Sequence, residues 1–375
     1  MHTSVHDGED LEPQYPVRTR TAGAPRIAGT ALAVPPHRYP QAEITEAFAD
    51  VCLEELPVAR RMLAQISRNA GVGMRNMALP LEKYLDLAGF TEANQAWQTI
   101  ALDLGEQAFR EALQAAGVAP EEVDLVVSTT VTGLAVPSLE ARLAGRLGLR
   151  EDVKRLPLFG LGCAAGAAGV ARLHDHLRAY PDQVAVLLAV ELCSLTVQRG
   201  DPAPANLVAI SLFGDGAAAV VATGAEREPQ RPGPAVLAAR SRLYPGTSSV
   251  MGWEIGTTGF EFVLSPDVAA LAERELPADV EGFLAEHGLR TTDVAAWVCH
   301  PGGPKVIEAV ERGLGLPADA LANTRRSLAD QGNLSSVSVL DVLRRTLAEP
   351  PPPGATGLLT AMGPGFASEL VLLRW

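Results

Sequence analysis

The chain has 375 residues, of which 47% are apolar and 20% charged, so it can bury a large core in one or two closely packed domains. Its formal net charge of -13 argues against a nucleic-acid-binding protein, because neutralising phosphates requires a basic surface. The four cysteines are too few for a disulfide framework and predict reduced thiols in the cytoplasm.

Two N-terminal stretches differ from the rest in composition. Residues 1–25 are polar and acidic with no apolar central stretch, so they predict a disordered tail and not a secretory signal. Residues 41–116 predict a helical region with Arg60, Arg61, Arg68 and Arg75, which form either a solvated helix face or an anion-binding patch. The longest apolar runs fall far short of the roughly 20 residues that cross a bilayer, so we expect no membrane span.

The remaining elements occur twice in the same order. An apolar strand at 123–130 resembles one at 292–299, and each leads into a predicted helix that ends in Leu-Gly-Leu, at 147–149 and 314–316. A glycine and a polar residue then open another helix, at 162–163 and at 332–333. Each half closes on a glycine-rich turn and an apolar strand. The sequence therefore predicts an internal duplication.

Alternating strands and helices predict an α/β fold with mostly parallel sheets covered on both faces. The polar stretch 224–234 reads as a connector between the two halves. We place the first half at 26–234 and the second at 235–375, packed as a layered α/β duplicate.

Three polar residues fall at the ends of predicted elements. Cys163 lies between an apolar strand and an alanine-rich helix, where the helix dipole and an imidazole would favour a thiolate. His300 ends an apolar strand, and Asn333 opens a helix. Together they predict a Cys-His-Asn acyl-transfer site. Singly, they read as a buried thiol, a core histidine and a helix N-cap.

Cys163, His300 and Asn333 on a duplicated α/β chain resemble the site of the thiolase-fold condensing enzymes. Within that group the chain most resembles the type III polyketide synthases, the family of chalcone and stilbene synthases. Five segments carry this resemblance by their order and spacing, at 162–166, 212–217, 300–303, 332–336 and 363–365. The resemblance covers nearly the whole chain after residue 25. It implies a thiolase fold with a duplicated αβαβα architecture, a homodimer, and acyl-CoA and malonyl-CoA as substrates, with no cofactor and no metal.

The resemblance also implies a role for each site residue. Cys163 carries the acyl chain, while His300 and Asn333 assist loading and malonyl decarboxylation. A carboxamide suits that task, because it donates a hydrogen bond to an enolate without repelling its charge. The arginines at 60, 61, 68 and 75 become candidates for binding the CoA phosphates.

The implied substrate pocket has two aromatic gatekeepers, Phe213 and Phe262. Cys193 stands where plant enzymes usually have Thr, and Trp253 where they have Gly. The substrate of chalcone synthase therefore cannot be assigned to this chain. The other pocket positions are Thr196, Val136, Ser335, Gly363, Pro364 and Gly365.

Cys193 and the segment 251–256, which resembles bacterial alkylresorcinol and alkylpyrone synthases, favour a medium- or long-chain fatty acyl starter. We expect iterative extension with malonyl-CoA and cyclisation to a resorcinol or pyrone. Two alternatives remain open at this point. One is a β-ketoacyl-carrier-protein synthase III that performs a single condensation, and the other is a catalytically silent partner subunit.

Overall fold

The first half contains seven strands and six helices among the described residues. The computed structural model describes residues 23–227 and 233–375, so the expected tail, apart from residues 23–25, and part of the connector lie outside it. The elements are β1 (Arg26–Ala33), β2 (His37–Pro40), α1 (Gln41–Leu53), α2 (Pro57–Arg68), β3 (Met74–Met77), α3 (Phe90–Ala116), β4 (Leu125–Thr129), α4 (Leu139–Leu147), β5 (Lys154–Leu158), α5 (Ala165–Ala179), β6 (Val184–Leu192), α6 (Pro204–Leu212) and β7 (Asp215–Thr223).

The second half repeats the central elements of the first, as the duplication predicts. Its elements are β8 (Ala235–Leu243), β9 (Met251–Gly256), β10 (Gly259–Leu264), α7 (Val268–Glu286), β11 (Val294–Cys299), α8 (Pro304–Leu314), α9 (Ala322–Gln331), α10 (Ser336–Ala348), β12 (Thr356–Gly363) and β13 (Ala367–Arg374). The spatial order β4-β6-β7-β1 in one half corresponds to β11-β12-β13-β8 in the other. In both halves the predicted Leu-Gly-Leu helix ends are confirmed, with Gly148 and Gly315 as left-handed C-caps.

The two halves join in one nine-stranded sheet of mixed direction, in the order β11-β12-β13-β8-β1-β7-β6-β4-β5. The pairs β11-β12, β6-β4 and β4-β5 are parallel, but the central pairs are antiparallel. The expectation of mostly parallel pairing therefore needs correction. A tight turn joins β12 directly to β13, and such a connection requires antiparallel strands.

Helices α5 and α10 form a buried middle layer between the two halves of the sheet. Each helix packs against strands of both halves. Residues 165–171 of α5 are buried all round, as expected for a helix covered on every side. A Cβ at Gly166 would lie 2.3 Å from Ser336 O, so the two helices cross closely at their N-terminal ends. This crossing brings the residues that precede α5 and α10 together.

The outer faces are covered by further helices. Helix α3 packs on β1, β6 and β7, whereas α7 packs against α8 on the second half. The outer helices, one half of the sheet, the buried pair α5 and α10, the other half of the sheet and further outer helices form five layers, which confirms the predicted α/β layered duplicate. No helix within residues 23–227 and 233–375 combines the length and the apolar character needed to cross a membrane.

Candidate active site

Cys163 lies in a single 3-10 turn, Gly162–Ala164, just before α5. Its side chain is buried, and its Sγ lies 3.7 Å from Ser335 Oγ. Gly162 has φ +51°, and a Cβ there would lie 2.7 Å from Pro364 Cδ, so this position requires glycine. The predicted segment 363–365 therefore packs directly against the turn that carries the thiol.

Asn333 reaches the same place from the second half. Its backbone N–H donates to Leu212 O at 2.8 Å, and its carbonyl accepts from the Gly214 N–H at 3.0 Å. Its side-chain Oδ1 accepts from the Ser335 N–H at 2.8 Å. This bond occupies the oxygen of the carboxamide and leaves the Nδ2 donors for Cys163. The structure thus brings Cys163, Asn333 and Ser335 together.

His300 directly follows β11 in the second half. Its backbone N–H donates to Thr360 O on β12 at 2.9 Å. Three residues further along β12, a Cβ at Gly363 would lie 2.6 Å from Leu161 O, within the turn of Cys163. Neither ring nitrogen of His300 has a hydrogen-bond partner among the described residues, and the ring is buried. The imidazole is therefore free to exchange a proton or to donate to a substrate oxygen.

The environment keeps both groups neutral at rest. Burial raises the pKa of Cys163 to about 12, opposed by hydrogen bonds from Ser335 and Asn333 that favour the thiolate. Burial lowers the pKa of His300 to about 3, so its imidazole is uncharged at neutral pH. A neutral imidazole can accept a proton and a neutral thiol can supply one, so both groups rest in the forms from which a proton transfer could start.

The two predicted gatekeepers meet in an aromatic cluster. The rings of Phe213 and Phe262 are edge to face, with centroids 5.0 Å apart, and the Trp253 ring lies 5.1 Å from that of Phe262. Trp253 on β9 is the register partner of Phe262 on β10. Cys193 is buried against Phe213, and Thr196 Oγ1 donates to Cys193 O at 2.8 Å. These predicted pocket residues are thus brought together, with Thr196 supporting the backbone of Cys193.

Two predicted binding residues are placed elsewhere. The side chain of Val136 is 95% exposed, so it does not line the cavity of its own chain. Arg75 lies on β3, not on a helix, and is only 1% exposed, so it cannot meet a CoA phosphate at the surface. A short strand that pairs with β2 interrupts the predicted helical region at this point and turns Arg75 inward.

The other three arginines lie on α2. Arg60 is held by Asp50 at 2.6 Å and by Ala49 O at 3.0 Å. Arg61 and Arg68 are exposed, and neither forms an ion pair within the described part of the chain. Only these two therefore remain accessible to an anionic ligand.

Glu191 is a site residue that the sequence analysis missed. It is fully buried, and it accepts hydrogen bonds from Ser336 Oγ at 2.6 Å, Thr132 Oγ1 at 3.0 Å and the Val131 N–H at 3.1 Å. Burial raises its pKa to about 7 despite these bonds. The available signal was a carboxylate near the end of the otherwise apolar run of β6. The described residues contain no cluster of side chains suited to a metal ion.

Comparison with known proteins assigns the family. The sequence model of the N-terminal domain of chalcone and stilbene synthases matches residues 14–226, and that of the C-terminal domain matches residues 235–375. The chain belongs to the chalcone and stilbene synthase family. It is a type III polyketide synthase, an acyltransferase that catalyses decarboxylative Claisen condensation with malonyl-CoA. Enzymes of this family need no cofactor beyond their CoA substrates.

Individual relatives agree with this assignment. The chain is 53% identical over 352 residues to the 1,3,6,8-tetrahydroxynaphthalene synthase of Streptomyces peucetius subsp. caesius, and the alignment covers 93% of each protein. It is 30% identical over 360 residues to a phloroglucinol synthase of Pseudomonas fluorescens, which covers 92% of this chain and 99% of the relative. The crystal structure of 1,3,6,8-tetrahydroxynaphthalene synthase from Streptomyces coelicolor A3(2) superposes with a TM-score of 0.88 at 31% identity, covering 93% of this chain and 99% of that one. The expected thiolase fold is confirmed.

Proposed function

We propose that this polyketide synthase uses malonyl-CoA both as starter and as extender, and that the chain grows by turns on Cys163 and on CoA. The malonyl starter is supported by the 53% identity over 352 residues to a 1,3,6,8-tetrahydroxynaphthalene synthase, and the condensation chemistry by the close set of Cys163, Ser335 and Asn333 at the crossing of α5 and α10. A thiol beside uncharged hydrogen-bond donors can both hold an acyl group and stabilise an enolate oxygen.

The loading step uses Cys163 and His300. Cys163 Sγ attacks the carbonyl carbon of the thioester while His300 accepts the thiol proton. The carbon–sulfur bond to CoA breaks, and His300 returns the proton to the departing CoA thiolate. His300 suits this shuttle because its ring nitrogens are buried and have no other partner within the described residues.

The condensation step uses His300 and Asn333 as donors. A second malonyl-CoA loses carbon dioxide, and the electrons of the broken bond remain as an enolate whose oxygen accepts hydrogen bonds from both residues. The enolate carbon attacks the acyl carbonyl on Cys163, the bond to Sγ breaks, and the lengthened chain is left on CoA with Cys163 free as a thiolate. Transfer of that chain back to Cys163 starts the next round.

The aromatic cluster and the sequence relatives favour malonyl-CoA over the expected fatty acyl starter. The rings of Phe213, Phe262 and Trp253 lie together beside Cys193, where they would hinder a long alkyl tail. The relative from Streptomyces peucetius is named for tetrahydroxynaphthalene. This compound has ten ring carbons, which five decarboxylated malonyl units would supply. A fused aromatic pentaketide is therefore our leading product.

A fatty acyl starter with a resorcinol or pyrone product is the second candidate, motivated by Cys193 and the segment 251–256. The test is mass spectrometry of the purified protein with malonyl-CoA alone and with acetyl- to palmitoyl-CoA. A ten-carbon aromatic product from malonyl-CoA alone, lost in Cys163→Ala, would support malonyl priming. Alkyl resorcinols or pyrones formed at a higher rate would favour the second candidate, and a strict requirement for a carrier-bound malonyl group would favour the single-condensation enzyme.

We further propose a homodimer that uses the edge of the sheet at β5. Four large apolar side chains near that edge are exposed, with Val136 at 95% and Phe159 at 53%, together with Leu134 and Leu156. An exposed apolar patch beside an edge strand fits a self-complementary interface. A monomer mass in sedimentation at micromolar concentration would contradict this proposal.

The four reduced, buried cysteines fit an enzyme of the cytoplasm.

A further inference from the structure

Arg75 is a buried charge without an ion-pair partner among the described residues. Its side chain is 1% exposed, and the nearby Asp215 carboxylate is already bonded to Ala78 N at 2.6 Å, to Ser194 N at 2.8 Å and to Ser194 Oγ. Asp215 acts on Arg75 electrostatically but does not bind it directly, and a buried guanidinium without a bound carboxylate is costly compared with an apolar side chain. The residue therefore calls for an explanation other than packing.

The donors of Arg75 are directed at the segment that carries the first gatekeeper. Nη1 donates to Phe213 O at 2.6 Å, and Nε donates to Gln41 Oε1 at 2.9 Å. The Gln41 amide in turn donates from Nε2 to Ser211 O at 2.8 Å. The carbonyl between these two, Leu212 O, accepts from the Asn333 N–H at 2.8 Å. Three successive carbonyls are thus fixed, two by the Arg75–Gln41 pair and one by the backbone of Asn333.

The aliphatic part of Arg75 also supports the turn before Asn333. Gly332 has φ +74°, and a Cβ there would lie 2.9 Å from Arg75 Cδ and 2.7 Å from Leu212 O. The Gly332-Asn333 turn therefore packs against the aliphatic part of Arg75, and its backbone pairs with residues 212–214. Arg75 therefore contacts both the backbone of Phe213 and the turn that precedes Asn333.

We propose that Arg75 is a positioning residue that holds gatekeeper Phe213 and enolate donor Asn333 in one rigid frame. This proposal rests on the proposed function. The frame links the position of the Phe213 ring, which borders the entry to the site, to the position of the Asn333 amide, which donates to the enolate. Chain extension and enolate stabilisation therefore both depend on Arg75, although Arg75 does not touch the reacting atoms. Nη2 of Arg75 has no partner within the described residues, and the cavity of about 10 Å³ that Arg75 shares with Cys193 and Phe213 borders this frame.

The test compares Arg75→Lys with wild type and two controls. Lysine keeps the charge but lacks the fork that reaches Phe213 O and Gln41 at once. Arg38→Lys makes the same change at an exposed position of the pairing strand. Leu143→Ala destabilises the buried core under α4, remote from the frame. The measurements are the ratio of truncated pyrones to full-length product, the acetyl-CoA released per carbon–carbon bond, and the rate of Cys163 alkylation.

We expect Arg75→Lys to raise both ratios by about fivefold or more, because a misplaced donor lets the enolate pick up a proton before it attacks. Cys163 alkylation should fall by less than either ratio rises, because Asn333 is only one of the thiol's hydrogen-bond partners and Ser335 keeps its own contact at 3.7 Å. Both controls should keep the wild-type ratios, even where Leu143→Ala lowers the melting temperature. Wild-type ratios in Arg75→Lys, with activity reduced only in step with the folded fraction, would overturn the inference. If wild type itself forms no product from any CoA thioester, the proposed function fails, and this inference falls with it.

Discussion

Gly166 and Ser336 touch where α5 crosses α10, and the carbonyl oxygen of Ser336 occupies the place where a side chain at 166 would begin. We expect Gly166→Ala to destabilise the protein by about 1–3 kcal/mol, because the new methyl must push the two helices apart. It should also slow Cys163 acylation. The control is Gly145→Ala in α4, where a Cβ meets nothing within 4 Å and alanine should be neutral or stabilising. Equal urea midpoints for the two variants would contradict the close crossing.

Ser335 should tune the reactivity of Cys163. Its hydrogen bond favours the thiolate, so Ser335→Ala should raise the pKa of Cys163 and slow alkylation by iodoacetamide about fivefold at pH 8. Mass spectrometry assigns the adduct to Cys163. Ser335→Gly should slow alkylation equally, yet gain about 1 kcal/mol over Ser335→Ala, because φ at this position is +50°. Unchanged alkylation in both variants would show that the hydroxyl does not reach the sulfur.

Glu191 should make the protein less stable as the pH rises from 5 to 8. Burial raises its native pKa to about 7, above the ordinary value of 4.5 for a glutamate, so between these values the native state binds the extra proton. Its stability contribution is therefore complete at low pH and lost as the pH rises through 7. Burial also raises the pKa of Asp215 to about 6, which adds a slope of the same sign.

Glu191→Gln should remove part of this decrease in the free energy of unfolding with rising pH. We expect the variant to be about 1–3 kcal/mol more stable than wild type at pH 8 and nearly equal at pH 5, measured by urea unfolding. The control is Asp152→Asn, because Arg150 holds the pKa of that exposed carboxyl below its usual value and neutralisation brings no gain. A variant less stable than wild type at pH 8 would mean that Glu191 is needed as an anion.

Trp253 should set the upper size of the starter. Trp253→Gly removes the ring that packs on Phe262, so we expect kcat/KM for hexanoyl- and decanoyl-CoA to rise about tenfold. The ten-carbon aromatic product from malonyl-CoA should fall as larger starters compete. Ile255→Gly, at an exposed position of the same strand, is the matched control. If both variants show the same starter profile, the ring does not border the starter.

Arg61 and Arg68 should contribute to CoA binding. Their alanine variants should raise the KM for malonyl-CoA severalfold with little change in kcat, and the difference should shrink at high salt. Arg60→Ala is the comparison, since Arg60 is already engaged by Asp50. An unchanged KM in all three would show an ordinary solvated helix face.

The sequence was most informative where function depends on a local pattern. The turn of Cys163 and the turn of Asn333 were predicted because glycines and helix starts leave short-range signals. The direction of the central strands was not, since it depends on how each strand is connected and paired. The burial of Arg75 was missed for a similar reason: its partners, Gln41 and Phe213, are 34 and 138 residues away.

Because of the duplication, each half of the chain supplies a different residue for forming a carbon–carbon bond. Cys163 and Asn333 occupy equivalent places, each just ahead of a buried helix of its own half. One copy of the repeat thus offers the residue that holds the electrophile, and the other copy offers a donor for the nucleophile. The new bond would form at the seam between the two copies, so a half-length chain cannot be a smaller version of this enzyme.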